Sequence, residues 1–262
     1  MHLRLSDNDI CIARYDRGRL PDDRDAFRFQ SFPVLPRASL LVSLADTVLP
    51  LPDCRRPDGR VEVVFTTPAT PIPLAEFQEE DIEAAYRQVF SPEEPRRLFY
   101  DPVPPLNLVL VFAADPAVCR RLEEAFAEVH YSCALTPVLC HFAEKGLGVH
   151  GNRRVFIYAH ESVVDVALID GCRLDFLNSY TCLSLSDVTY FTLGALEQLR
   201  VDPAEYPFFV AGDPQMRMPL IDELRHYSDQ VYPINPAAEF NRHPIARAEG
   251  VPYDLVCAML RR

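Results

Sequence analysis

The sequence predicts an α/β protein of two lobes, each built in the order βββαβαβα, with a small βαββ insert in the first. Three observations carry this reading. Residues 155–159, 163–169 and 174–177 are short apolar segments in quick succession, parted by the tight polar turns His160-Glu161-Ser162 and Asp170-Gly171-Cys172. A helix-length segment and one more apolar strand, 208–211, then end on Gly212. Residues 1–65 spell the same opening, βββαβ, and Gly146, Gly148 and Gly151 (three of only nine glycines) mark a hinge between the halves.

In the first half, residues 3–5 and 10–13 read as strands joined by the polar turn Ser6-Asp7-Asn8-Asp9. Phe27-Arg28-Phe29-Gln30 alternates, as a strand with one wet face does. Pro36 stands where a first helical residue is favoured, and Leu41, Leu44, Ala45 and Val48 follow at helical spacing. Residues 61–65 make the fourth strand. The span 66–105 differs in character, holding eight of the 24 prolines. Within it Ile82, Ala85, Tyr86, Val89 and Phe90 form one apolar helical face, with acidic Glu79, Glu80 and Asp81 at its N-terminus. Strand-like pieces at 72–74, 98–100 and 106–112 complete a βαββ insert.

Asp115-Pro116 then restarts a helix with Val118, Leu122, Ala125 and Phe126 inward; 129–135 alternates as a strand; Thr136-Pro137 starts a helix that Gly146 stops. The second half continues with a helix carrying Val188, Phe191, Ala195 and Leu199 on one face. A helix face of Leu220, Ile221, Leu224 and Tyr227, a strand at 231–234 and a helix from Pro252 follow. The expected domains are therefore 1–145, including the insert at 66–105, and 146–262.

Composition narrows the function. A length of 262 residues suits two compact lobes, and 48% hydrophobic residues support a core. The net charge of -12, with no basic run, argues against nucleic acid as partner. No apolar run approaches the roughly 20 residues of a membrane span, and residues 1–7 lack a signal-peptide core, so the cytoplasm is the expected compartment. The eight cysteines read as reduced thiols, with no C-x-x-C pair. Cys133, Cys140 and His141 come nearest to a ligand cluster, but strand and helix patterns separate them, so no metal site is expected. As helix neighbours, Cys140 and His141 diverge, which disfavours a Cys-His hydrolase.

The duplicated order resembles the actin, sugar-kinase and Hsp70 superfamily, whose lobes are ribonuclease H-like. The insert resembles the variant found in the cell-division actin homologue and in cytoplasmic scaffolds of pilus and secretion machines. More narrowly, Ile234-Asn235-Pro236-Ala237-Ala238-Glu239-Phe240-Asn241-Arg242, Pro252-Tyr253-Asp254-Leu255 and Ile72-Pro73-Leu74-Ala75-Glu76-Phe77 are similar to a bacterial family of unknown function with an actin-like ATPase fold. The resemblance implies a nucleotide site in which each half's first hairpin carries Asp-x-Gly. Here those turns read Asp7-Asn8-Asp9 and His160-Glu161-Ser162, and the adenosine-binding double glycine falls at Ala211-Gly212-Asp213. Asp7, Asp9, His160, Ser162 and Gly212 are thus the candidate vestigial nucleotide residues, although the same residue types also suit hairpin turns for local reasons. Lys145, the only lysine, lies at the hinge helix end, away from a phosphate anchor. Glu239, Asn241 and Arg242 form a candidate polar cluster after the last strand, which capping explains equally well.

Two functions are consistent with this. One is a non-catalytic scaffold that binds a protein partner, with the insert as its surface and the nucleotide site degenerate. The other is an ATPase or phosphotransferase with atypical phosphate turns, using Asp7 and Asp9 to hold Mg²⁺ beside ATP.

Overall fold

The structure is a computed structural model that describes residues 1–16, 18, 26–35, 37–52, 54, 59–92, 94–146, 153–241 and 243–260. Its contacts divide the chain into two units, Met1–Val138 with His243–Arg262, and Leu139–Arg242.

In the first unit, β1 (His2–Leu5), β2 (Asp9–Tyr15) and β3 (Phe27–Pro33) form an antiparallel meander. Leu3, Leu5, Ile10 and Ile12 are buried on one face and Arg4 and Cys11 on the other, so both faces of these strands are covered. The first helix, α1 (Leu40–Ser43), is capped by the Ser39 hydroxyl, which accepts from the Val42 N–H. It continues as a π-helical turn, Leu44–Val48, that buries Leu44 and Val48. Pro36, expected at the helix start, lies outside the described residues. β4 (Arg60–Phe65) then runs parallel to β1.

The insert comprises β5 (Ala69–Pro73), α2 (Ile82–Val89), β6 (Arg97–Val103) and β7 (Leu108–Ala114), with strand order β5-β7-β6. The expected boundary at 105 is corrected here: β7, buried along its whole length, is the insert's central strand. The prolines at 102–105 suggested an end, but Pro104–Leu106 is a single 3₁₀ turn inside the unit. Val111 and Ala113 pack under Tyr86 of α2, with Ile72, Phe77, Ile82, Phe90 and Leu98 around them. On β6, Phe99 stacks on Phe112 at 5.6 Å and meets Tyr131 at 4.8 Å. Edge strand β5 carries Pro71 and Pro73, which have no N–H to offer a neighbouring strand.

Chain order continues with α3 (Pro116–Ala125), β8 (Glu128–Cys133) and α4 (Leu135–Gly146); the sheet order is β3-β2-β1-β4-β8. Asp115 caps α3 as expected, accepting from the Ala117 N–H at 2.7 Å. Thr136 does not cap α4: its hydroxyl donates to Asp101 of β6 at 2.7 Å, and the Cys133 N–H donates to the same carboxylate at 2.7 Å. This buried carboxylate ties the insert to the β8–α4 junction.

The second unit repeats the pattern with β9 (Arg153–His160), β10 (Val163–Asp170), β11 (Arg173–Thr181), α5 (Leu185–Gln198), β12 (Phe208–Gly212), α6 (Pro214–Leu224), β13 (Val231–Pro233) and α7 (Pro236–Glu239). Its strand order, β11-β10-β9-β12-β13, matches that of the first sheet position by position. Val155, Ile157, Val166, Val188, Leu196, Val210 and Ile221 belong to its core. Tyr227, expected on the buried face of α6, lies beyond that helix and is 46% exposed, because α6 ends at Leu224.

The last helices, α8 (Pro244–Arg247) and α9 (Tyr253–Leu260), belong to the first unit. This corrects the expected division at 146, in which the second domain ran to the end of the chain. The physical cause is a buried ion pair between Arg4 of β1 and Asp254 of α9. The hinge glycines Gly148 and Gly151 lie outside the described residues. No helix among the described residues is long and apolar enough to cross a membrane.

Candidate functional site

The β1–β2 turn is closed by Ser6. Its hydroxyl oxygen accepts from the Asn8 N–H at 3.2 Å and the Asp9 N–H at 3.0 Å. Those are the amides that a phosphate-cradling turn would direct at its ligand. Asp9 is equally engaged. Its Oδ1 accepts from Arg4 Nη1 at 2.9 Å and Ser6 Oγ at 2.9 Å, while its Oδ2 accepts from Ser31 Oγ at 3.3 Å. Arg4 in turn donates through Nε to both carboxylate oxygens of Asp254, at 3.0 and 2.9 Å. The Arg4 side chain is 2% exposed and that of Asp254 0%, so this is a buried ion pair in which one N–H is shared between both carboxylate oxygens. Cys11 sits beside it, its thiol pushed up to about 12 by burial and by the nearby Asp9 charge.

Asp7 points elsewhere. It lines a cavity of about 450 Å³ within the first unit, between the insert and the carboxyl ends of β1 and β4. Ser6, Thr66, Thr67, Arg96 and Asp115 supply the other polar lining, and Tyr86, Val89 and Phe90 of the α2 segment supply an apolar wall. Ligands of open α/β sheets collect near such strand ends. Asp7 and Asp9 therefore serve different surroundings.

In the second unit, His160 and Val163 face each other across a two-residue turn, Glu161-Ser162. Glu161 takes the left-handed backbone, φ +52, that glycine occupies at no cost. His160 stacks on Tyr158 at 4.4 Å and its Nε2 lies 2.9 Å from Asp165 Oδ2. Ser179 Oγ donates to the other oxygen of Asp165, so the aspartate stands between histidine and serine. A nucleophilic relay needs the histidine in the middle, so this order does not activate the serine. Ser162 contributes its carbonyl, which accepts from the Cys182 N–H at 2.8 Å. Gly212 has φ +118, and a Cβ there would lie 1.8 Å from the Ala159 carbonyl oxygen. Close packing of β12 against β9 thus accounts for that glycine.

The polar cluster is held internally. Glu239 Oε1 pairs with Lys145 Nζ at 2.6 Å, and its Oε2 lies 3.7 Å from His141 Nε2. His141 also packs on Phe240 at 4.8 Å. Asn241 adopts a left-handed φ of +51 just past α7, a conformation asparagine tolerates. Arg242 lies outside the described residues.

Sequence reasoning did not pick out Arg4, Ser31, Asp165, Ser179 and Asp254. Arg4 is a charged residue in an otherwise apolar strand, and that signal alone marks a residue needing a buried partner.

Comparison with known proteins identifies the family and the fold. Residues 38–231 match the family model described as a protein of unknown function, DUF3822. Among curated proteins, none matches the chain. Among solved structures, the chain is similar to a Bacteroides thetaiotaomicron VPI-5482 protein with an actin-like ATPase fold and unknown function, with 20% identity, a TM-score of 0.78 and 95% of each chain covered. It is also similar to a chain of the PilM-PilN type IV pilus biogenesis complex, at 16% identity and a TM-score of 0.61 over 98% of this chain and 96% of that one. A third similar structure is an AlfA filament from B. subtilis plasmid pLS32, at 10% identity and a TM-score of 0.50, covering 100% and 98% of the two chains. The chain has the actin-like ATPase fold and belongs to the DUF3822 family.

Proposed function

We propose that this chain is a non-catalytic, protein-binding member of the actin-like fold whose phosphate turns have been converted to structural use. One observation carries the reading. The Asn8 and Asp9 amides bond to Ser6, and the Asp9 carboxylate bonds to Arg4, Ser6 and Ser31. A nucleotide with Mg²⁺ would need these groups released, and the exchange would cost the buried Arg4 guanidinium its bond to Asp9, leaving Asp254 to hold it. The residues present therefore do not fit Mg-ATP.

The partner surface in this reading is the cavity between the insert and the lobe. It has an apolar wall, a 59% exposed Val89 at its rim and polar groups that fix orientation. Prolines on β5 disfavour an added strand along that edge of the insert, and the partner segment is expected in the cavity. The PilM-PilN complex is a protein–protein assembly of a similar chain, which supports this role for the fold.

A second reading, a nucleotide-dependent enzyme with an atypical site, draws on Asp7, Thr67 and Asp115 around the same cavity and on the buried Thr66 hydroxyl, which makes no hydrogen bond. Thermal unfolding in Mg-ATP separates the two. With a dissociation constant above the ligand concentration, stabilisation stays below about 0.4 kcal/mol, a shift of roughly 2 °C or less. A rise beyond about 5 °C would show that nucleotide binds, and phosphate release abolished by Asp7→Ala would establish the enzyme reading. For the scaffold, Val89→Ser and Arg96→Glu are expected to fold normally and to lose partner capture; unchanged capture by both would make the insert purely structural.

A further inference from the structure

The second unit carries a surface that neither the turns nor the insert uses. Ser186, Tyr190, Leu193, Gly194 and Glu197 recur at helical spacing along α5, opposite its buried residues Val188, Thr192, Ala195 and Leu196. A helix with one buried face should turn a polar, solvated face outward; here the outward face holds a tyrosine that is 73% exposed. Glu223 of α6 and Tyr227 just after that helix supply the facing wall, and together they enclose a groove of about 530 Å³. Open space surrounds the position of a Cβ on Gly194, so no side chain fills the groove there.

The chemistry of this lining is one-sided. Two tyrosine rings stand beside two carboxylates, and no lysine, arginine or histidine lines the groove. Glu197 and Glu223 form no ion pair among the described residues, and Arg225, the nearest cation along the chain from Glu223, is paired with Asp222 at 3.3 Å. An anion or a nucleotide phosphate is repelled there. A guanidinium satisfies both kinds of group, because its planar face stacks on a phenol ring while its edge pairs with a carboxylate. A lysine ammonium pairs with the carboxylates as a point charge and lacks the planar stacking face.

We propose that the α5–α6 groove binds an arginine-bearing segment of a protein partner, with Tyr190 and Tyr227 stacking the guanidinium and Glu197 and Glu223 pairing with it. This stands independently of the insert surface, since the two lie in different units.

The probe is a fluorescently labelled Gly/Ser peptide carrying three arginines, with a three-lysine counterpart, titrated by anisotropy against the full chain at physiological salt. The arginine peptide is expected to bind about threefold or more tighter than the lysine peptide. Glu197→Gln with Glu223→Gln is expected to weaken it about tenfold, and Tyr190→Ala with Tyr227→Ala several-fold. A control pair, Glu76→Gln with Glu80→Gln, removes the same charge from the other unit and is expected to change affinity less than about twofold. All these positions lie at the surface, and unchanged melting verifies that each variant is folded. The proposal is overturned if the control pair weakens binding as much as the groove pair, which would assign binding to the net charge of -12. It is equally overturned if lysine binds as well as arginine, if the arginine peptide does not bind at millimolar concentration, or if sedimentation shows a homodimer that Tyr190→Ala dissociates.

Discussion

Asp254→Ala removes one partner of the buried Arg4–Asp254 pair and tests the conversion of the first turn most directly. Both side chains are essentially solvent-free, so the substitution leaves the Arg4 guanidinium buried without Asp254, while its bond to the partly exposed Asp9 stays. Breaking a buried pair from one side costs about 3–5 kcal/mol, because the stranded charge keeps its desolvation penalty without its partner. For a chain of this size each kcal/mol moves the midpoint by about 2–4 °C, so the expected fall is roughly 6–20 °C. Asp9 is 29% exposed and water assists it, so Asp9→Asn is expected to cost less, about 1–2 kcal/mol. Removing both ends with apolar replacements, Arg4→Met with Asp254→Leu, is expected to recover much of the loss, since a well-packed apolar pair of similar volume is often neutral. Denaturant titration of these variants together with the single variants Arg4→Met and Asp254→Leu, which close the double-mutant cycle with the wild type and the double variant, measures each quantity. A loss below about 1 kcal/mol for Asp254→Ala, or a double variant as unstable as the sum of the singles, would refute the claim that this pair holds α9 on β1.

Three further outcomes follow from the same structure. Burial holds the Asp101 carboxyl above its ordinary range despite the Cys133 N–H and the Thr136 hydroxyl, so the folded state binds that proton more tightly than the unfolded chain; stability is therefore lost as pH rises from the ordinary carboxylate value through the raised one, and Asp101→Asn is expected to flatten that fall in pH-dependent melting. Gly212→Ala drives a Cβ into the Ala159 carbonyl and is expected to cost roughly 3 kcal/mol or more, whereas Gly194→Ala meets nothing within 4 Å in mid-helix and is expected to gain about 0.5–1 kcal/mol; equal effects in thermal unfolding would contradict the geometry. Cys172 is the exposed thiol among eight free cysteines, while Cys11 and Cys119 are pushed up to about 12 and about 11 by burial, so a thiol reagent on the native chain is expected to react fastest at Cys172 and to lose that phase in Cys172→Ser.

The sequence by itself determined the order of the elements. Meanders, capped helices and the polar turns between strands are written in neighbouring residues: Asp115 before Pro116, Gly171-Cys172 between β10 and β11. Such signals depend on backbone geometry a few residues long, which is why both βββαβ openings and the helix of the insert were legible. The turn positions Asp7, Asp9, His160 and Ser162 were legible for the same reason, but not their occupation. Arg4 and Asp254 are 250 positions apart, and Asp9 and Ser31 are 22 apart. No spacing rule links them, because folding, not sequence proximity, brings them within hydrogen-bond reach. Tertiary structure alone also decided that β7 takes the central place between β5 and β6, that Tyr227 faces outward, and that α9 returns to the first unit. In each case a local pattern was compatible with more than one neighbour, and the choice fell to whichever arrangement left the fewest buried charges and unpaired strand groups.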